Sequence, residues 1–481
     1  MYKAYITTLT NVRAHPNADR LLLADVFGTT VCVSTNYTEG MVGLYLPCDG
    51  QVSVEFAEKN NLLRKKDDAG NNVGGYMEPT KRNVTAIRLR GERSDGLFLP
   101  LSCLNYCFAH GDASAELHVG DVIDGCVNGH EICCKYIPRR DPYHTHHSAH
   151  HRSKKPKTSI APLFTEHVDT EQLAYNLSAF KPGDEIEITL KMHGTSQRTG
   201  FLPVLKGYKK SFLDWLFRRE GKPIYDWGYV SGTRRVVLEN YEGGYYGDNA
   251  FREPHSKFFE GKLWRGETVY YEVVGFTTSG APIMASADNS KLKDKEFIKQ
   301  YGKETVFSYG CEPEAATLWR PDGQGDFDLV GRIKQSDIYV YRMTMTNEDG
   351  EVVEYTPDFM RYRCEQMGVK CVPVFWRGRI PEVEDRIYVD RNENDECDEG
   401  ETVYIKPTNA GEWVMNLASQ YIDGPDPIGK THLREGVVVR IINKPTFTAY
   451  KLKSFEFRVL EGIIKLDASA PDMEEEQEIE E

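Results

Sequence analysis

The chain has 481 residues, 40% of them hydrophobic and 27% charged, with a formal net charge of −14. That length and apolar content can bury at least two cores. No run approaches the roughly 18 uninterrupted apolar residues of a membrane helix, and Met1-Tyr2-Lys3-Ala4-Tyr5-Ile6 has no signal-peptide architecture, so a cytoplasmic protein without membrane contact is expected. The acidic balance is uneven: Asp472–Glu481 holds seven acids and no base, half of the net charge, and reads as a disordered, solvated tail. Eleven cysteines, with Cys133 and Cys134 adjacent and no paired Cys-x-x-Cys groups, argue against a disulfide framework and against zinc.

Residues 1–137 read as an all-β module. Apolar and β-branched runs near residues 5–9, 21–27, 30–34, 42–46 and 84–90 are separated by glycine-containing turns, the pattern of a small barrel. Two segments are more specific, His15-Pro16-Asn17-Ala18-Asp19-Arg20-Leu21 and Arg90-Gly91-Glu92-Arg93-Ser94-Asp95-Gly96. They resemble the two signatures of the OB-fold tRNA-binding module found beside aminoacyl-tRNA synthetases. Equally, their polar residues serve to brace turns and their glycines to permit tight bends. The loop from Glu58 to Arg82 carries Arg64, Lys65, Lys66, Lys81 and Arg82 and is the candidate RNA-binding face of this module, since phosphate contacts come from clustered lysine and arginine.

Residues 138–158 form a linker, with five histidines between Tyr143 and Arg152 followed by Lys154-Lys155-Pro156-Lys157; exposed histidines of this kind bind metals adventitiously. The second domain, 159–466, begins its informative part at Glu185–Leu190, an alternating apolar run that ends in Lys191-Met192-His193-Gly194-Thr195. A lysine at a strand end, before a glycine turn, offers an amine at the mouth of a pocket. That amine is a nucleophile only when unprotonated, which takes desolvation or cationic neighbours. Between Lys206 and Asp226, paired cations mix with Phe212, Leu213, Trp215 and Phe217, which predicts a short amphipathic helix.

Further along come Tyr229-Val230-Ser231-Gly232-Thr233-Arg234, a strand Val269–Phe276 carrying Glu272, and Asp337-Ile338-Tyr339-Val340-Tyr341-Arg342. Pro357 to Met367 predicts a helix with proline at its start and Gly368 at its stop, Val369 to Trp376 a strand, and Trp413 to Tyr421 a helix. Leu433–Ile441 then carries Glu435, and Ala449–Ser454 carries Lys451 and Lys453, which a strand places on one face.

Lysine, glutamate, glutamate and paired lysines in this order resemble motifs I, III, IV and V of the covalent nucleotidyltransferases, the polynucleotide ligases and RNA capping enzymes. Lys191-Met192-His193-Gly194 matches the Lys-x-His-Gly form of RNA ligases. The segment at Arg234 resembles motif Ia and that at Tyr341 motif IIIa. An N-terminal OB domain before the catalytic domain is the arrangement of one RNA-ligase family, whereas DNA ligases and capping enzymes place theirs after motif V, and here 28 residues follow Lys453.

The resemblance implies a multidomain protein, an N-terminal OB-fold β-barrel plus an α+β nucleotidyltransferase domain, acting as an ATP-dependent RNA ligase with Mg2+ or Mn2+. It implies Lys191 as the nucleophile that takes AMP, Lys451 and Lys453 at the α-phosphate, His193 and Gly194 in the ATP pocket, Arg234 on a phosphate, Glu272 on the ribose, Tyr341 on the adenine face and Glu435 on the metal. RNA with broken or nicked ends is the implied partner; no protein partner is evident, and a monomer is expected. Two other readings stay open, a capping-type guanylyltransferase labelled by GTP and a tRNA-binding accessory protein, though the latter leaves the lysines and glutamates without a task.

Overall fold

The fold is seen in a computed structural model that describes residues 2–48, 50–65, 75–136, 160–212, 221–243, 249–278, 283, 317–321, 327–332, 336–388, 403–428, 433–454 and 457–458. Lys66, the linker 138–158, the tail 467–481 and residues 213–220 lie outside the described residues. The described chain falls into two compact units, 2–136 with Arg458, and 160–457.

In the first unit Ala4–Thr8 pairs antiparallel with Val42–Leu46 and Val122–Ile123, and Leu97–Pro100 extends the same sheet. Thr10–Ala14, Leu21–Val26 and Thr29–Ser34 make a three-stranded meander, and Gly50–Val52 is flanked by Asn83–Val84 and Cys133–Lys135. Ile6, Leu44, Leu46, Val52, Phe56 and Ile132 fill the core beneath them. The sheets remain separate among the described residues, so the closed barrel expected from the sequence is not seen there. His15 and the 90–96 segment hold one another. With Nδ1 of His15 accepting from Asn17 N at 3.1 Å, its Nε2 donates to Leu89 O at 3.0 Å, and Asn17 Nδ2 donates to Arg90 O at 3.0 Å. Gly91 and Gly96 have φ of +96° and +92°, backbone that side chains resist.

Strands of the second unit are numbered within it. They are β1 Glu185–Leu190, β2 Thr195–Lys209, β3 Lys222–Gly232, β4 Glu267–Gly275, β5 Ser336–Thr346, β6 Val374–Arg379, β7 Gly436–Ile441 and β8 Thr448–Lys453. One sheet runs Glu171–Gln172, β8, β7, β1, β6; the other runs β3, β2, β4, β5, Val352–Glu354. Strand periodicity sends Ile186 and Ile188 of β1, with Val437, Val439 and Ile441 of β7, onto helix α2, Ala410–Ser419. In the other sheet Val269, Tyr271 and Val273 of β4, with Val340 and Met343 of β5, pack against helix α1, Pro357–Met367. Leu190 and Met192 from the first sheet meet Val274 and Tyr339 from the second, which fixes the segment at Lys191 between the sheets.

Three expectations change in the structure. The interval 206–226 begins and ends as strand, β2 and β3 forming a hairpin with Gly207 opposite Ile224 and Lys209 opposite Lys222; Phe212 between them is helical, and Leu213, Trp215 and Phe217 of the expected amphipathic helix lie outside the described residues. The strand expected over Val369–Trp376 is two pieces. Lys370–Cys371 runs parallel to β5 and Val374–Arg379 joins the other sheet; Pro373 between them has no N–H to continue a ladder. Helix α2 starts earlier than Trp413, because the side chain of Asn409 accepts from Glu412 N at 3.3 Å and caps it.

Candidate active site

Lys191 continues the ladder of β1, its N–H donating to Gly436 O at 3.0 Å. Its Nζ lies 2.6 Å from Oε1 of Glu435, and Nζ of Lys453 lies 3.1 Å from the same oxygen. All three are largely withdrawn from water, with side-chain exposures of 13% for Lys191, 1% for Glu435 and 3% for Lys453. Backbone pairing delivers this geometry: Gly436 is opposite Lys453 in the β7–β8 register, and Ser454 N donates to Glu435 O at 2.9 Å. A Cβ on Gly436 would stand 2.1 Å from Leu452 O, so glycine is required for the strands to approach here. Nδ1 of His193, a buried residue, stands 3.7 Å from Oε2 of Glu435, and its ring meets Phe457 edge-on at 4.7 Å. Both lysines bring positive charge to one carboxylate in a largely buried place, where electrostatic interactions are strong.

The next group surrounds Glu272 on β4. Ser196 and Tyr339 lie opposite it on β2 and β5, and Ser196 Oγ donates to Glu272 Oε2 at 3.3 Å. Gly194 abuts this row: a Cβ there would come within 2.4 Å of Val273 O and 2.9 Å of Glu272 Cγ. Tyr341 is half-buried at a register shift of β5 against β4. Burial, and after it the charge of Glu272, push its phenol pKa upward, so the hydroxyl remains a donor. Lys451 lies on the same face of β8 as Lys453, opposite Val438 and beside Gln172.

Arg234 is held by a residue with no counterpart in the expected set. Its Nε donates to Asp169 Oδ1 at 2.8 Å and another guanidinium nitrogen lies 2.6 Å from that oxygen, while Arg235 reaches Oδ2 at 3.3 Å. Burial opposes the charge on Asp169, but the two arginines prevail and hold its pKa below the usual carboxylate range. Two residues earlier, His167 lies 3.3 Å through Nδ1 from the hydroxyl of Tyr341. Neither His167 nor Asp169 carried a sequence signal, and Ser196 was visible only as a neighbour of the glycine turn.

In the first unit the proposed RNA-facing cations divide. Arg64 and Lys65 are exposed, with one Arg64 nitrogen donating to Tyr76 O at 3.2 Å. Arg82 is committed to its own loop, donating to Val52 O at 3.1 Å, Pro79 O at 2.8 Å and Thr80 O at 3.3 Å. Lys81 anchors the same turn through its N–H to Glu78 at 2.6 Å.

No known family profile matches the chain, and no curated protein matches it in sequence. Its fold does have a likeness: an apo mutant of Naegleria gruberi RNA ligase matches with a TM-score of 0.50 at 15% identity, covering 94% of this chain and 97% of that one. Two other solved forms of the Naegleria enzyme are similar, one with PPi at TM-score 0.49 and 15% identity over 95% of this chain and 97% of that one, and a mutant with ATP and Mn at 0.49 and 16% over 96% and 98%. The likeness to the apo form is one of fold, and it extends through both units.

Proposed function

We propose that this chain is an ATP-dependent RNA ligase that joins a 3′-hydroxyl to a 5′-phosphate RNA end. The observation that carries the reading is the buried Glu435 carboxylate holding the ammoniums of Lys191 and Lys453 at 2.6 and 3.1 Å, at the motif positions where a lysyl-nucleotide chemistry needs them; the fold likeness to a solved RNA ligase supports it. Lys191 must shed a proton before attacking, and Glu435 Oε1 stands at hydrogen-bond distance from its amine. The amine then attacks the α-phosphorus of ATP, pyrophosphate departs, and AMP remains on Lys191. Lys453 and Lys451 counter the charge that grows on the phosphate oxygens. AMP passes to the 5′-phosphate of RNA, and the 3′-hydroxyl displaces it to form the phosphodiester.

Glu272, braced by Ser196, holds the ribose hydroxyls; Tyr341 offers its ring to adenine; His193 and Gly194 shape the pocket wall, and Arg234 binds a phosphate once its pairing with Asp169 opens. The donor set suits a Mg2+ or Mn2+ ion that arrives with the nucleotide and keeps most of its water and phosphate oxygens, because Glu435 supplies a carboxylate while no cluster of three His, Cys, Asp or Glu side chains gathers among the described residues. Bound at Glu435, such an ion would supply Lewis-acid neutralisation of the phosphates. Residues 159–466 form the adenylyltransferase domain, and residues 1–137 an OB-type module that grips RNA through Arg64, Lys65, Lys66 and Lys81, with Arg82 shaping their loop. The protein acts as a cytoplasmic monomer.

The test is sealing of a nicked RNA duplex by the purified chain with ATP or GTP and magnesium. Sealing with ATP alone is expected. Covalent labelling by GTP without sealing would favour the capping reading instead.

A further inference from the structure

The segment 160–169 crosses one face of the second sheet and is tied down along its length. Phe164 packs with Leu202 and Val230, and the guanidinium of Arg198 lies 4.4 Å from its ring. Thr165 O accepts from Arg198 at 2.8 Å, Thr165 Oγ1 hydrogen-bonds Tyr270 Oη at 2.7 Å, and His167 N donates to Arg234 O at 3.2 Å. The backbone leading into His167, and its own N–H, are therefore held before its ring makes any contact. That ring stands nearly perpendicular to Tyr341, at 85° and 5.5 Å between centroids, with Nδ1 3.3 Å from the phenol oxygen. Burial first, then the charges of Arg234 and Arg342, push the imidazole pKa down to about 3. A neutral ring has one acceptor nitrogen, and in the tautomer that leaves Nδ1 bare the still-protonated phenol donates to it.

We propose that His167 is a positioning residue for the nucleotide, fixing the ring of Tyr341 as the platform for the base. The inference rests on the reading of Tyr341 given above. Tyr341 lies at a register shift, where the ladder orients a side chain least, and it remains half-buried. A hydrogen bond to a rigid, uncharged partner on the 160–169 segment restrains χ1 and χ2 of the tyrosine at little electrostatic cost to an incoming anion. The consequence is specific: His167 governs how tightly nucleotide binds, and leaves the chemical step to Lys191, Glu435 and Lys453.

The experiment is self-adenylylation of the full chain across a range of ATP concentrations, for the wild type, His167→Phe, His167→Asn, Tyr341→Phe and the double variant His167→Phe/Tyr341→Phe. Loss of one hydrogen bond of ordinary strength corresponds to roughly fivefold, so His167→Phe should raise the half-saturating ATP concentration about that much with the maximal rate little changed. His167→Asn, which keeps an amide near the position of Nδ1, should recover most of the loss, and the double variant should be no worse than Tyr341→Phe alone. An unchanged half-saturation, a fall in maximal rate only, or additive effects in the double variant would overturn the proposal. If His167→Phe does not fold, Tyr341→Phe removes the same hydrogen bond from the other side, and its normal half-saturation would overturn it equally. A wild type that takes no label contradicts the ligase reading instead; equilibrium ATP binding by calorimetry, with the same expected weakening, then decides the role of His167 separately.

Discussion

Lys191 and Lys453 share a single carboxylate oxygen, so no one of the three groups can change without altering the charge seen by the other two. Lys453→Ala should therefore slow self-adenylylation by about 10²–10³-fold, the typical worth of one preorganised contact to a developing oxyanion; a quantitative time course of label transfer checks it. Gly194→Ala should also impair the reaction, because its Cβ would press on Val273 O and Glu272 Cγ, raising half-saturation for ATP even though no charge is lost. Histidines set a pH limit of their own. His167 and His255 have pKa values pushed down to about 3 and about 4, by burial first in each case. Unfolded, each takes a proton near the ordinary value of 6.5; folded, each resists it, so the stability they contribute is present above that value and lost as pH falls toward their folded pKa values. The Tm should drop steadily on acidification below about pH 6.5, and less steeply in His167→Phe. Lys191, Glu435 and Lys453 were legible because each sits in its own short motif, whereas the pairing of His167 with Tyr341 joins residues 174 positions apart and leaves no local trace.

At the scale of elements, helix α1 is locked to β4 by a buried ion pair. Arg363 donates to both carboxylate oxygens of Glu267, at 2.8 and 2.7 Å, and Tyr355 Oη donates to Oε1 at 3.0 Å. The helix is stopped at each end as its sequence indicates, by Thr356 accepting from Phe359 N and by Gly368 at φ +72°. Glu267→Gln leaves the guanidinium buried without its counter-charge, a loss of about 3–5 kcal/mol that chemical denaturation of the second unit should show, while ATP-site residues stay untouched in sequence. Glu267 reads from sequence as an ordinary strand residue; its role depends on a partner far along the chain. The strand arms of β2 and β3 that flank the expected helix were missed for a related reason. Basic and aromatic residues at 206–209 and 222–226 fit a helical face as well as a strand, and the pairing of the two arms decides. By contrast α1 and the strands at Glu272 and Lys453 were legible, since caps and alternation are local signals.

Across the whole molecule, both units share the fold likeness to the Naegleria enzyme, and under the proposed function they divide the work. Every group assigned to the attack on ATP lies in the second unit, so replacing Arg64, Lys65, Lys66 and Lys81 with alanine should weaken sealing of nicked RNA and leave self-adenylylation intact. The loss should be largest at low salt and should flatten the salt dependence of sealing, as removal of phosphate contacts does. Arg82 is best left in place, because its three backbone contacts make its removal a test of the loop's shape. The most direct measurement of the central claim is peptide mapping of the full chain after incubation with α-labelled ATP and magnesium in the absence of RNA. The account predicts one covalent AMP in an acid-labile, alkali-stable phosphoramidate, on the peptide containing Lys191, chased by nicked RNA and absent from Lys191→Arg, which keeps the charge without a usable amine. AMP on another lysine, or undiminished labelling of the arginine variant, would contradict it.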